Sequence, residues 1–168
     1  MKITKVEGLA NIANDIRIEI IEQVYNANSG HPGGSLSCAD ILAVLYFNQM
    51  NIDSENPNAK GRDRFVLSKG HCAPALYATL ARKGYFDKEL LKGFRKVESN
   101  LQGHPDMKKV PGVDMSTGSL GQDYQQRWEW QLVQRWNMRD TEYIVYLEME
   151  NSKKDKYGKQ QCLQVKIN

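Results

Sequence analysis

The sequence contains little cysteine, no long apolar run and no strong excess of either charge. Its 3 cysteines are an odd number without C-x-x-C spacing: Cys38, Cys72 and Cys162. This pattern disfavours a disulfide framework or a zinc site and indicates a reducing compartment. No apolar run is long enough to span a bilayer, and no charged-then-apolar signal pattern opens the chain, so we expect a soluble, cytoplasmic protein without a membrane partner. The net charge of +3 is too small to indicate a nucleic-acid partner.

Glycine and proline are almost absent after Gln122. Of the 13 glycines only Gly158 lies beyond it, and none of the 5 prolines does, whereas all 3 tryptophans are found there. Glutamine is dense in residues 123–168, and a single run there, 144–147, has β character. This abrupt change in composition separates residues 1–122 from the rest.

Each of the 3 histidines directly follows a glycine. His31 stands in Gly-His-Pro-Gly-Gly, His71 ends Leu-Ser-Lys-Gly-His, and His104 stands in Gly-His-Pro. Residues 65–67 are an apolar run that predicts a buried strand, and the Ser-Lys-Gly-His after it leads into a predicted helix. A strand that delivers polar residues to a helix start is a common anion site in α/β folds. We therefore predict an anion site that holds His71, with Lys69 close by.

The remaining pattern predicts helices separated by polar or glycine-rich loops. Helices are expected over 6–28, 37–50 and 74–83, with a fourth helical segment after 87. Ser37 and Asp40 resemble a capping box, and Gly84 ends the third helix. Asp87 caps the fourth. The three glycines and proline of 29–35 exclude a helix, which leaves either an ordinary connection or a loop whose backbone approaches a ligand.

A glycine-rich turn at 116–122, Ser-Thr-Gly-Ser-Leu-Gly-Gln, can offer backbone N–H groups to a ligand at a helix start. Together with His-Pro-Gly-Gly-Ser at 31–35, Leu-Ser-Lys-Gly-His at 67–71 and Gly-His-Pro at 103–105, it resembles transketolase in order and spacing. More closely, the chain resembles the N-terminal subunit of the two-chain bacterial and archaeal type. The resemblance covers residues 5–122.

This resemblance implies an α/β, thiamine-diphosphate-binding fold, a parallel sheet flanked by helices, of which residues 1–122 form an incomplete diphosphate-binding module. It implies transfer of a two-carbon ketol unit between sugar phosphates, as in the pentose phosphate pathway. The chain would be one subunit of a hetero-oligomer and inactive without its C-terminal transketolase subunit. The implied cofactors are thiamine diphosphate, which acts as an electron sink, and Mg²⁺ or Ca²⁺.

The resemblance also implies roles for individual residues. His31 and His104 line the substrate channel and polarise the sugar, because imidazoles near a carbonyl serve as hydrogen-bond donors and proton carriers. The residues implied to bind the cofactor are His71, at the diphosphate, and Gly118, Ser119 and Leu120, through their backbone.

The metal ligands of the family are missing from this sequence. Transketolases carry Gly-Asp-Gly-x-x-x-Glu-Gly after the glycine-rich turn and an asparagine further on, whereas this chain contains no Asp-Gly dipeptide. We hypothesise a single-base change of reading frame at Gln122. Codons compatible with residues 148–161, read one base earlier, encode GDGELQEGQIWEAA, and the same shift permits GLSAAVGMA for 123–131. Residues 123–168 would then be an out-of-frame tail without a native fold.

Three alternatives follow from the same residues. The segment after Gln122 is either out of frame or a natural, diverged extension. The chain as written is either a working subunit or an inactive, truncated product that neither catalyses nor binds cofactor. A nucleic-acid-binding module built on the basic, aromatic tail is disfavoured, because acidic residues there nearly balance the basic ones.

Overall fold

The computed structural model describes residues 2–118 and two further strands at 143–147 and 163–167. Its α-helices are α1 (Val6–Ala27), α2 (Pro32–Leu36), α3 (Ala39–Val44) and α4 (Ala73–Lys83). A π-helical turn (Leu45–Gln49) extends α3, and 3₁₀ turns cover Gly70–Cys72 and Lys88–Gly93. The strands are β1 (Arg64–Leu67), β2 (Tyr143–Leu147) and β3 (Leu163–Ile167). No helix in this part of the chain is long and apolar enough to cross a bilayer.

The three described strands form one sheet in the order β1-β2-β3. β1 and β2 run parallel, with Arg64 opposite Ile144 and Leu67 opposite Leu147. This parallel pair confirms the predicted type of sheet. β3 runs antiparallel to β2, so the sheet is mixed, as many α/β sheets are at one edge.

The helices pack together because their apolar residues recur at helical spacing. Ala13, Ile16 and Ile20 are buried on one face of α1, and residues 73–81 of α4 are buried throughout. Each buried aliphatic side chain contributes roughly 1.5–3 kcal/mol to stability. α4 ends at Gly84, whose φ of +93° confirms the predicted stop. This core fixes the start of α4 and the turn before it.

A buried carboxylate joins the start of β1 to a later part of the chain. Asp114 accepts a hydrogen bond from the backbone N–H of Phe65 at 2.9 Å and from Arg64 Nη1 at 3.1 Å. Arg62 also pairs with it, through Nη1 at 3.1 Å and through Nη2. Because Asp114 and Arg62 are both buried, each charge depends on the other for compensation.

The structure differs from two local predictions around the first histidine. The segment 29–35, predicted to exclude a helix, contains the start of α2, because Pro32 at the first helical position has its φ preset. The hydroxyl of Ser37 donates to a carbonyl of α2 at 2.9 Å, so the predicted capping box is wrong. Asp40 pairs instead with Arg17 of α1.

Other predicted elements are confirmed with adjusted bounds. The helix expected over 37–50 begins at Ala39 and continues beyond Val44 as the π-helical turn. Asp87 caps the next segment by accepting from the N–H of Glu89 at 2.9 Å, although that segment is a 3₁₀ turn.

The part of the chain after Gln122 lies mostly outside the described residues. β2 confirms the β character of the run 144–147. β3 was not predicted, although Leu163–Ile167 alternates apolar and polar residues as a half-buried strand does. The division into residues 1–122 and an out-of-frame tail at 123–168 stays a prediction.

We expect Asp114→Ala to lower the free energy of unfolding by about 3–5 kcal/mol, because it leaves the buried Arg62 without its partner. Asp40→Ala is the matched control, since it removes a carboxylate from an exposed ion pair with Arg17 and should cost less than about 1 kcal/mol. Urea denaturation followed by circular dichroism measures both. Equal losses for the two variants would contradict the role given to Asp114.

Candidate active site

Two of the three histidines meet at the carboxyl end of β1. His31 immediately precedes α2, and His71 lies in the turn Gly70–Cys72, which follows the strand. Their ring centroids are 5.1 Å apart with an interplanar angle of 68°, an edge-to-face contact. Residues that are 40 positions apart in sequence are thus brought into one cluster, whereas the predicted anion site at this strand end stays a prediction.

The third histidine packs against the glycine-rich turn. A Cβ atom added to Gly118 would lie 2.2 Å from Cδ2 of His104, so only glycine fits beside that ring. The φ of Gly118, +125°, also favours glycine. The structure therefore joins two predicted site residues, His104 and Gly118, whereas Ser119 and Leu120 lie outside the described residues.

Gly70 allows the glycine-rich turn to approach β1. A Cβ atom at Gly70 would lie 2.7 Å from the backbone N of Gly118 and 2.8 Å from the carbonyl carbon of Thr117. The Thr117 hydroxyl donates to the carbonyl of Leu67 at 2.7 Å, which holds the two segments together. The motifs Leu-Ser-Lys-Gly-His and Ser-Thr-Gly are consequently neighbours in space.

Tyr77 of α4 supports the loop that carries His104. Its hydroxyl lies 2.9 Å from the carbonyl of Gln102 and 3.2 Å from that of His104. Burial raises the pKa of Tyr77 well above its ordinary value, so the hydroxyl remains a donor. Tyr77 was not predicted as a site residue, because a buried tyrosine on an apolar helix carries no signal of its hydrogen-bond partner.

The environment favours neutral imidazoles. Partial burial lowers the pKa of His71 below 6.5, and His31, Lys69 and His104 lower it further. The pKa of His104 is also lowered, first by partial burial and then by Arg95 and His31. At pH 7 a neutral imidazole has one N–H donor and one acceptor nitrogen, so it can both donate to an oxygen and receive a proton.

The described residues fit an anion better than a metal. Lys69 brings a buried cation to the site, and Gly70 and Gly118 leave room for close backbone contacts. Within residues 2–118 and the two further strands, no group of three or more His, Cys, Asp and Glu side chains could hold a metal ion. These residues therefore suit the diphosphate of a cofactor but do not supply a metal site.

Comparison with known proteins agrees with this geometry. A family model described as "Transketolase, thiamine diphosphate binding domain" matches residues 9–143. The chain belongs to the transketolase family. The resemblance of its motifs and the predicted thiamine-diphosphate-binding fold are thereby confirmed, whereas the roles of the individual site residues stay predictions.

Two curated relatives are single subunits of transketolases. The chain is 51% identical over 116 residues to a 6-deoxy-6-sulfo-D-fructose transketolase subunit from a Clostridium species, covering 69% of this chain and 42% of the relative. It is 44% identical over 117 residues to an apulose-4-phosphate transketolase subunit from Phocaeicola vulgatus, covering 70% of this chain and 41% of the relative. The chain thus spans about two fifths of the length of these two proteins.

A solved transketolase is similar in structure to most of the chain. The structure from Leishmania mexicana superimposes with a TM-score of 0.65 and 38% sequence identity, over 72% of this chain and 18% of that protein. The matched region corresponds to an incomplete module, as predicted.

We expect His71 and His104 to titrate below pH 6.5 in an NMR experiment that follows their ring protons. Because their pKa values are lowered in the folded state, the unfolded state binds protons first as the pH falls. The free energy of unfolding should therefore fall as the pH is lowered from 6.5 to the lowered pKa values. Above pH 6.5 these two groups should not affect it. Titration of both rings above pH 6.5 would contradict the clustered geometry.

Gly70→Ala should lower the free energy of unfolding by about 1–3 kcal/mol, because the new methyl group would overlap the backbone of Thr117 and Gly118. Gly33→Ala is the matched control: Gly33 lies in α2, and a Cβ there meets nothing within 4 Å. Alanine in that helix should be neutral or stabilising by up to about 1 kcal/mol. Denaturation of the two variants side by side measures the difference, and equal stabilities would refute the close approach.

Proposed function

We propose that this chain acts as the N-terminal subunit of a two-chain transketolase that transfers a two-carbon ketol unit between sugar phosphates. The observation that supports this best is the convergence of His31, His71 and His104 with Gly118 at the carboxyl end of β1. The two subunit relatives support a partner, which would be a C-terminal transketolase subunit. Because the chain spans only part of these relatives, its activity, substrates and partner are proposals.

His71 and the backbone at Gly118 would contact the cofactor, whereas His31 and His104 would contact the sugar. His71 would donate a hydrogen bond to the diphosphate, beside the buried charge of Lys69. The backbone at Gly118 would approach the cofactor, and thiamine diphosphate, when bound, supplies the electron sink for breaking a carbon–carbon bond. His31 and His104 would donate to the sugar oxygens and move protons there, as imidazoles beside a reacting carbonyl can.

Mg²⁺ or Ca²⁺ would have to be held by residues other than those described. We propose that the missing metal-binding motif is present in the gene in another reading frame. In the restored frame the motif GDGELQEG would follow the residues that replace 143–147, and its aspartate would supply a metal ligand that the described residues lack.

Sequencing the gene across the Gln122 codon tests this proposal directly. We expect the source DNA to contain a frame in which the transketolase reading continues through Gly-Asp-Gly after the β2 codons. Independent reads of both strands that reproduce the present frame, with no Gly-Asp-Gly in the frame read one base earlier, would overturn it. Residues 123–168 would then be a natural extension.

In a frame-restored protein combined with its C-terminal subunit, we expect different effects from the three histidines. His71→Ala should raise the KM for thiamine diphosphate, whereas His31→Ala and His104→Ala should lower kcat by about 100- to 10,000-fold. Lys92→Ala, at an exposed position of the turn Lys88–Gly93, is the control. If all three histidine variants behave like the control in steady-state kinetics, the assigned roles are wrong.

A further inference from the structure

Lys69 is a buried lysine beside the histidine cluster. Only 6% of the residue is exposed to solvent. Its ammonium donates to the carbonyl of Gly34 at 2.9 Å and lies 3.4 Å from the hydroxyl of Ser37. Within residues 2–118 no carboxylate pairs with it. Lysine is rarely buried this deeply without an ionic partner, so its place in the structure calls for an explanation.

The acceptors of Lys69 lie in the segment that carries His31. Gly34 belongs to α2, which begins directly after that histidine, and Lys69 itself precedes His71 by two positions. We propose that Lys69 is a positioning residue that holds α2 against the turn Gly70–Cys72 and so sets the contact between the two imidazole rings. This inference rests on the proposed function in one respect only, namely that the two imidazole rings serve cofactor and substrate.

α2 needs such an anchor because it is short. Its five residues form little more than one turn, and a helix of that length has no stability of its own in water. A second contact, between Arg95 Nη1 and the hydroxyl of Ser29 at 2.6 Å, lies before His31 at an exposed position. Lys69 supplies the buried contact on the other side of the histidine.

The same ammonium acts on the charge state of His71. Partial burial is the main cause that lowers the pKa of His71, and the groups around it that lower it further are His31, Lys69 and His104. Lys69 is the one lysine among these groups. We therefore expect replacement of its ammonium to raise the pKa of His71, an effect that accompanies the loss of the ring contact.

The test compares variants of the full chain by NMR at several pH values. In Lys69→Met we expect an upward shift of the His71 pKa and loss of the nuclear Overhauser contact between the rings of His31 and His71. Lys69→Arg keeps the cation and should keep the low pKa. The matched control is Lys2→Met, which removes another lysine that donates to a backbone carbonyl, that of Gln49 at 2.8 Å, and should change neither reading.

The outcomes separate this inference from the proposed function. If Lys69→Met leaves both the ring contact and the His71 pKa unchanged, the positioning role is overturned. If that variant loses its fold, Lys69→Gln decides, because it keeps a donor without the charge: the inference stands if the ring contact weakens and the His71 pKa rises, and falls if the ring contact is unchanged. The His71→Ala kinetics of the frame-restored enzyme report on the proposed function instead. An unchanged KM for thiamine diphosphate there, with the lysine effects as expected, supports positioning and counts against the cofactor role alone.

Discussion

The candidate site depends on one close backbone approach, that of Gly70 to Thr117 and Gly118. The two segments are nearly 50 residues apart, and any side chain at Gly70 would separate them. Their contact puts the turn that follows β1 beside the glycine-rich turn, and His104 then packs on Gly118. Close approach of backbone to backbone also leaves N–H groups accessible to an anion, which is why glycine is used at such places.

The chemistry of the site follows from how charge is distributed around that contact. Lys69 contributes a buried positive charge, and partial burial together with neighbouring groups lowers the pKa of His71 and His104. A fixed cation suits the negative diphosphate, whereas neutral imidazoles suit a substrate that exchanges protons. Under the proposed function, one small region would bind a charged cofactor and handle an uncharged part of a sugar.

The sequence predicted the local elements well where periodicity or a stop residue was clear. α1 follows from the spacing of Ile16 and Ile20, α4 ends at Gly84, and the apolar run at 65–67 forms β1. The short helix α2 was missed because glycine content outweighed the preset φ of a single proline.

Contacts between distant segments could not be predicted from such local sequence patterns. Asp114 binds the start of β1 across about 50 residues, and Tyr77 reaches the His104 loop across 27. Neither residue lies in a local sequence pattern that indicates its hydrogen-bond partner. The histidine cluster was foreseen only because three glycine-histidine motifs match a known family in order and spacing, and its metal ligands could not be assigned because their motif is absent.

The central claim is that the described residues hold the anion-binding part of a thiamine-diphosphate site without its metal-binding part. Calorimetric titration of the purified chain with thiamine diphosphate, in the presence and absence of Mg²⁺, tests it most directly. We predict weak binding or none, with no strengthening by Mg²⁺, because no described residues form a metal site. Tight binding that requires Mg²⁺ would contradict the claim and show that residues after Gln122 supply the missing ligands.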